Sequence, residues 1–183
     1  MNIKELTKPL SIDEIEFRIQ SINKGGYATI LAYKDARADQ NRLDEVVGPM
    51  NWQRSHTRDN HNCIVSIWDE DKKQWVSKED TGTPSNAEAQ KGLASDSFKR
   101  ACFNWGIGRE LYDYPVIQIK LMDNEYTIKN DKAYASWNLK LKEWVWFSQF
   151  TDGKLTYLAA KSCHHADKWQ MRFEWGAYNE TQE

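Results

Sequence analysis

The run Asn86 to Arg109, NAEAQKGLASDSFKRACFNWGIGR, decides how the chain is read. Ala94, Phe98, Ala101, Cys102 and Trp105 recur at helical spacing, so they form one apolar stripe able to face a core. Asp96, Lys99, Arg100 and Phe103 fall on the opposite arc, which turns an adjacent Lys/Arg pair away from that core. Thr83, Pro84, Ser85 and Asn86 supply start signals. Gly106 is a natural stop, in the left-handed position that ends many helices. Gly92 weakens the run by roughly 1 kcal/mol of propensity. The spacing predicts one helix of about twenty residues with a cationic outer edge.

Upstream of it, three segments read as strands. Asn51 to Arg58 (NWQRSHTR) is polar, and Asn62 to Trp68 alternates Cys63, Val65 and Ile67 against Ile64, Ser66 and Trp68. Asp69-Glu70-Asp71-Lys72 makes a turn, and Gln74 to Asp80 returns. This is an antiparallel meander that feeds the helix through Thr81-Gly82-Thr83-Pro84. Further back, Asp35 can cap a helix from Ala36 to Val47, closed by Gly48-Pro49, with Leu43, Val46 and Val47 inward and Arg37, Asp39 and Asp44 outward. Tyr27 to Tyr33 (YATILAY) is a short buried strand. Ser11-Ile12-Asp13-Glu14 has the form of a capping box, and Ile12, Ile15, Phe17 and Ile19 follow, which predicts a short helix ending before Lys24-Gly25-Gly26.

The order is helix, strand, helix, three strands, helix: an α+β domain over residues 1–115. A second, β-rich and Trp-rich C-terminal part occupies 116–183. Val116 to Met122 and Tyr126 to Lys129 flank Asp123-Asn124 as one hairpin, and Trp144 to Phe150 and Lys154 to Ala160 flank Thr151-Asp152-Gly153 as another. The end, through Trp169, Phe173 and Trp175, shows no clear period.

Composition bounds the function. The 183 residues carry 25 basic and 27 acidic side chains, a net charge of −2, so any polyanion site has to be a local patch on an acidic remainder. Nine Trp and eight Tyr supply core and interface packing, or stacking platforms for bases or sugars. Three widely spaced cysteines, Cys63, Cys102 and Cys163, do not make a disulfide framework and favour a reducing compartment. The N-terminal stretch has no apolar signal-like core and no run approaches the length of a membrane span. A cytoplasmic protein without a membrane partner is expected.

Two basic patches are candidates for phosphate. Lys99 and Arg100, with Lys91 and Arg109 near in sequence, form a possible tracking edge; the same residues also suit an ordinary solvated face with Asp96 pairing to Lys99 or Arg100. Arg54, His56 and Arg58 share one side of a strand, interleaved with Trp52 and followed by His61. They suit a polyanion backbone, or an edge charged to prevent strand pairing. Cys163-His164-His165 with Asp167 does not have metal-ligand spacing, since neighbouring histidines rarely converge on one ion. Asp35, Asp39, Asp44, Glu45, Glu79 and Asp80 offer the carboxylates of a two-metal nuclease. There is no phosphate-binding loop of the G-x-x-x-x-G-K-[ST] form and no G-x-S-x-G elbow. No cofactor is implied.

Two segments together carry a resemblance. One is Tyr33-Lys34-Asp35-Ala36-Arg37 running on to Arg42-Leu43-Asp44-Glu45-Val46-Val47-Gly48-Pro49-Met50-Asn51-Trp52. The other is Glu79-Asp80-Thr81-Gly82 followed by Asp96-Ser97-Phe98-Lys99-Arg100-Ala101 and Trp105-Gly106-Ile107-Gly108. In this order they resemble the Rad-fifty-two-type single-strand annealing proteins, in particular the phage Sak-type and bacterial DdrA-like members, over roughly Tyr27 to Pro115. The resemblance implies a β-β-β-α annealing core whose protomers pack into rings or helical filaments. It also implies ATP-independent annealing of complementary strands in homologous recombination or double-strand break repair, with single-stranded DNA in a basic groove. A partner nuclease or single-strand-binding protein belongs to the same picture.

The family's groove-lining Lys-Arg pair carries over to Lys99 and Arg100. A family arginine at the start of the earlier helix falls on Ala38, with Arg37 one residue before it. Another, three residues after the pair, is Phe103 here, leaving Arg109 or the Arg54–Arg58 strand as replacements. Two other functions stay open on the residues alone. One is a metal-dependent nuclease using Asp35, Asp39, Glu79 and Asp80. The other is a non-catalytic module whose aromatic second half docks a protein partner.

Overall fold

A computed structural model describes residues 2–83, 89–163 and 168–179. In chain order it contains β1 (Ile15–Ile22), β2 (Tyr27–Lys34), α1 (Ala36–Val47), β3 (Trp52–Thr57), β4 (Asn62–Asp69), β5 (Gln74–Thr81) and α2 (Ala89–Trp105). Beyond these lie β6 (Ile117–Lys120), β7 (Tyr126–Lys129), β8 (Lys132–Ala135), β9 (Val145–Thr151), β10 (Lys154–Cys163) and β11 (Trp169–Gly176). The class is α+β with mostly antiparallel sheets, as the patterning predicts.

The chain forms two compact units, and they are not consecutive halves. One comprises Met1–Leu10 and Lys34–Arg109, the other Ser11–Tyr33 and Glu110–Glu183. This differs from a linear division at residue 115. The reason is strand pairing: β2 pairs antiparallel with β6, from Tyr27↔Lys120 to Ile30↔Ile117, which draws the early strands into the later unit.

In the first unit, β3, β4 and β5 form the expected antiparallel meander, with Trp52↔Ile67 and Ile67↔Val76 in register. Cys63, Val65 and Ile67 of β4 are buried, as are Leu93, Phe98, Ala101, Cys102 and Trp105 of α2. The Trp105 indole N–H donates to the Val65 carbonyl at 3.0 Å, pinning the helix across the middle strand. Each large apolar side chain buried this way contributes about 1.5–3 kcal/mol relative to exposure. Asp35 caps α1 by accepting from the Arg37 N–H at 2.6 Å, and Gly48, with φ +87°, ends it. Asp39, expected on the outer side of α1, is instead fully buried. It forms an ion pair with the equally buried Lys34, whose ammonium also donates to the Ile107 carbonyl.

In the second unit, the Ser11–Glu14 capping box forms, with Ser11 N–H donating to Glu14 Oε2 at 2.8 Å, but the helix it announces does not continue. A single 3-10 turn at Ile12–Glu14 gives way to β1. Ile15, Phe17 and Ile19 alternate with exposed Glu16, Arg18 and Gln20, a period of two that serves one face of a strand. The hairpin expected around Asp123-Asn124 is also absent. β7 turns at Asn130-Asp131, where both φ angles are positive (48° and 63°), and pairs with β8. Asn and Asp tolerate that conformation better than most residues. The hairpin at Asp152-Gly153 forms as expected between β9 and β10, and β11 completes that sheet. Ala28, Ile30, Ile117, Ile119, Leu158 and Ala160 lie in its core. Within this unit Arg172 and Glu125 form a buried pair at 2.6 Å.

Candidate nucleic-acid interface

The outer arc of α2 follows from its inner one. Burying Leu93, Ser97, Phe98, Ala101, Cys102 and Trp105 leaves Asp96, Lys99, Arg100 and Phe103 half-buried on the opposite side. Lys99 and Arg100 are one residue apart, about 100° around the helix, so they diverge. The hydrogen bonds from Arg37 hold the Asp35 carboxyl below its usual range, and the Lys99 charge adds the smallest contribution in the same direction. Asp35 and Arg37, at the start of α1, thus lie within range of the Lys99 charge. Arg100 turns toward β5, where its Nε stands 3.5 Å from Asp80 Oδ1. That Nε is buried and makes no hydrogen bond, so the contact is an ion pair longer than an ordinary hydrogen bond.

The parts of the second sequence signature pack against one another. Asp96 accepts from the Thr83 N–H at 2.9 Å, Asp80 faces Arg100, and Gly82 lies directly against Ser97. Asn104, one turn further along α2, donates to the Glu79 carbonyl at 3.0 Å. Glu79-Asp80-Thr81-Gly82 and Asp96 to Arg100 thus form a single junction that sets where the Lys/Arg pair sits.

The remaining cations are placed differently from the expectation. Arg109 sends its guanidinium back to the end of α2, donating to the Phe103 carbonyl at 2.8 and 3.1 Å and to the Asn104 carbonyl at 3.3 Å. It caps carbonyls of the last turn of the helix, adding to the Gly106 N–H that the Phe103 carbonyl already accepts. Lys78, which the sequence reading passed over, does the same from β5, donating to the Asn104 carbonyl at 2.7 Å and lying over the Trp105 ring.

Arg54 lies over Phe98, its guanidinium carbon 4.6 Å from the ring centroid. His56, on the same side of β3, has its Nδ1 3.4 Å from Ser97 Oγ. Burial, then the Arg54 charge, hold the His56 pKa below its ordinary 6.5, so it is neutral at physiological pH. Arg58 does not extend this row. It lies past the end of β3 in a turn where Arg58, Asp59 and Asn60 all have positive φ. The row of three cations reduces to Arg54. The Lys91 side chain lies outside the described part of α2, and His164, His165 and Asp167 lie outside the described residues.

Five of the six carboxylates considered for a metal go to different partners: Asp35 to Arg37, Asp39 to Lys34, Asp44 to the Trp52 indole, Glu79 to Asn62 and Asp80 to Arg100. Among the described residues no group of three or more His, Cys, Asp or Glu side chains is placed to hold a metal ion. Nor is any described helix long and apolar enough to cross a membrane.

A half-exposed Lys/Arg pair on a helix that backs a sheet can meet a phosphate backbone or serve as a solvated face, because both side chains offer cationic donors without base preference. Comparison with known proteins bears on that chemistry. The chain is 32% identical over 115 residues to the single-stranded DNA-binding protein DdrA of Deinococcus radiodurans. The match takes in 61% of this chain and 55% of DdrA, so the chain spans about half the length of the curated relative it matches. No family model matches the chain, and no solved structure matches it significantly.

Proposed function

We propose that the chain binds single-stranded DNA by its sugar–phosphate backbone along the outer arc of α2, with Lys99 and Arg100 as the principal contacts and Arg37 at one flank. The observation that carries this reading is the coincidence of two facts. The outer arc presents an adjacent Lys/Arg pair, and the chain is similar over 115 residues to a protein named for single-stranded DNA binding.

The activity is annealing of complementary strands without ATP, in recombination or break repair, and it is a binding rather than a catalytic function. Annealing needs the bases left free to pair while the phosphates are held, which cationic contacts to the backbone provide. One short cationic edge on a protein of net charge −2 gives little affinity. A ring or filament of protomers multiplies it through effective concentration and lines the edges into one track. The resemblance to the Rad-fifty-two-type family supports this assembly, and a cytoplasmic setting fits it.

The test is fluorescence anisotropy with a labelled oligonucleotide, alongside light scattering of the free and bound protein. Lys99→Ala and Arg100→Ala should each weaken binding while the fold persists. Wild-type binding should fall steeply as salt rises, because displaced counterions drive it. Variants that anneal at the wild-type rate, or a chain that stays monomeric with and without DNA, would overturn the reading.

A further inference from the structure

The second unit holds a cleft that the α2 reading leaves unused. It has a volume of about 610 Å³, inside the roughly 300–1,000 Å³ typical of ligand sites. Its walls come from the start of β1, the end of β2 and the segment leading into β9. Phe17 and Trp146 line it as a parallel stacked pair, with ring centroids 3.6 Å apart and planes 2° from parallel. Tyr33 adds a third ring, its hydroxyl donating to the Glu16 carboxylate and its face lying 5.4 Å from the Arg18 guanidinium carbon. Arg18 and Lys142 are exposed cations on the lining, with Asp13 and Glu16 as the carboxylates.

This combination selects a ligand class. Equal numbers of cations and carboxylates do not favour a bare anion, and four aromatic side chains, the buried Trp144 being the fourth, do not favour a wholly polar one. Flat apolar walls suit a planar ring, while lining groups of both signs suit a ring edge that has donors as well as acceptors. Two exposed cations suit one attached phosphate. A nucleotide has all three features, and base-on-aromatic stacking contributes about 1–3 kcal/mol per base in proteins that hold single strands.

We infer that the cleft lined by Phe17, Tyr33 and Trp146 takes a single unstacked nucleobase of single-stranded DNA against the ring surface that the Phe17–Trp146 stack leaves open, with Arg18 and Lys142 holding its phosphate. This deepens the proposed single-strand binding and rests on it for the identity of the strand. The α2 edge grips phosphates and leaves bases free; the cleft captures one base and so gives the second unit a role in holding the strand.

The experiment is photo-crosslinking of the full chain to a thymine oligonucleotide carrying 5-iodouracil, with adducts mapped by mass spectrometry. Wild-type protein should give adducts on Trp146 or Tyr33. The Arg18→Glu, Lys142→Glu double variant changes only exposed side chains. It should lower the cleft adducts by about five-fold or more and leave the melting temperature unchanged. The α2 edge is read separately, by anisotropy of Lys99→Ala and Arg100→Ala, because a probe on the base does not report a phosphate contact. No cleft adducts, or cleft adducts indifferent to the double variant, would overturn the cleft, and the α2 reading stands if its two variants still weaken binding. Cleft adducts together with unweakened binding by the α2 variants would support the cleft and remove the α2 reading. Neither cleft adducts nor an effect of the α2 variants would overturn both.

Discussion

Arg100 on α2 and Asp80 on β5 face each other at 3.5 Å from Nε to Oδ1, with Arg100 about two-fifths exposed (41%) and Asp80 28% exposed. The residue proposed to grip phosphate thus already has a carboxylate neighbour, and a DNA strand has to compete with it. The pairing is loose, because no hydrogen bond joins the two groups at Nε. Exposed pairs of this kind contribute about 0.2–1 kcal/mol. A phosphate bound at Arg100 has to exceed that contribution.

Asp80→Asn should therefore tighten single-strand binding, by up to about five-fold, the equivalent of about 1 kcal/mol. Asn keeps an acceptor for the Thr81 N–H that Asp80 now receives at 2.7 Å, so the end of β5 keeps that bond. Anisotropy titrations at low salt measure the change. Equal binding by the variant would mean that Arg100 does not contact the strand, and weaker binding that Arg100 needs Asp80 to orient it.

Arg109→Ala separates a helix cap from a phosphate contact. Its guanidinium nitrogens are engaged with the Phe103 and Asn104 carbonyls. Losing them should lower stability by about 1 kcal/mol. The salt dependence of DNA binding should stay at the wild-type slope. A shallower slope would return Arg109 to the groove.

Where the sequence was readable, and where it was not, follows from the range of the interactions concerned. Asp35, the α1 stripe and Gly48 sit within one helix, so start, face and stop are all local signals. The meander and α2 were legible for the same reason. Asp39 was misplaced because its partner network includes the Ile107 carbonyl, far along the chain, which no helical period reveals. β1 carries a helical signal because a genuine capping box sits directly before a strand. A cation just past a helix end, such as Arg109, has the same sequence signature whether it meets a phosphate or caps carbonyls. For the site, the Lys99/Arg100 pair and the turn of the arc away from the core were visible; the Asp80 neighbour emerged only from the packing of β5 on α2.

Lys34→Met should show that buried charge directly. Burial pushes the Asp39 pKa up from the ordinary 3.8 to about 6, against the pull of Lys34. The folded protein thus holds this proton more tightly than the unfolded chain does. In wild type this linkage makes stability fall as pH rises between about 4 and 6, and it is flat from this group on either side. Removing Lys34 leaves an unpaired buried carboxylate, at a cost of about 3–5 kcal/mol at neutral pH. The loss should shrink on acidification, as Asp39 takes up its proton. Thermal melts across the pH range measure it, and a loss independent of pH would mean that packing of the lysine stem, not the charge, is what matters.

Gly82→Ala tests the junction that positions α2. A Cβ at Gly82 would lie 2.6 Å from Ser97 N and 2.9 Å from Ser97 Cα, both backbone atoms of the helix. Neither can swing aside as a flexible side chain could. Ser97 is itself buried, with its hydroxyl donating to the Asn60 carbonyl at 3.0 Å, so the helix has little room to shift there. The substitution should cost about 1–3 kcal/mol. Gly25→Ala is the control, because its Cβ would meet only side-chain atoms, the nearest being Asn23 Oδ1 at 3.2 Å. Denaturant melts should show a clear loss for Gly82→Ala and a small change for Gly25→Ala. If the two variants melt alike, close approach of β5 and α2 is not why a glycine stands between Thr81 and Thr83.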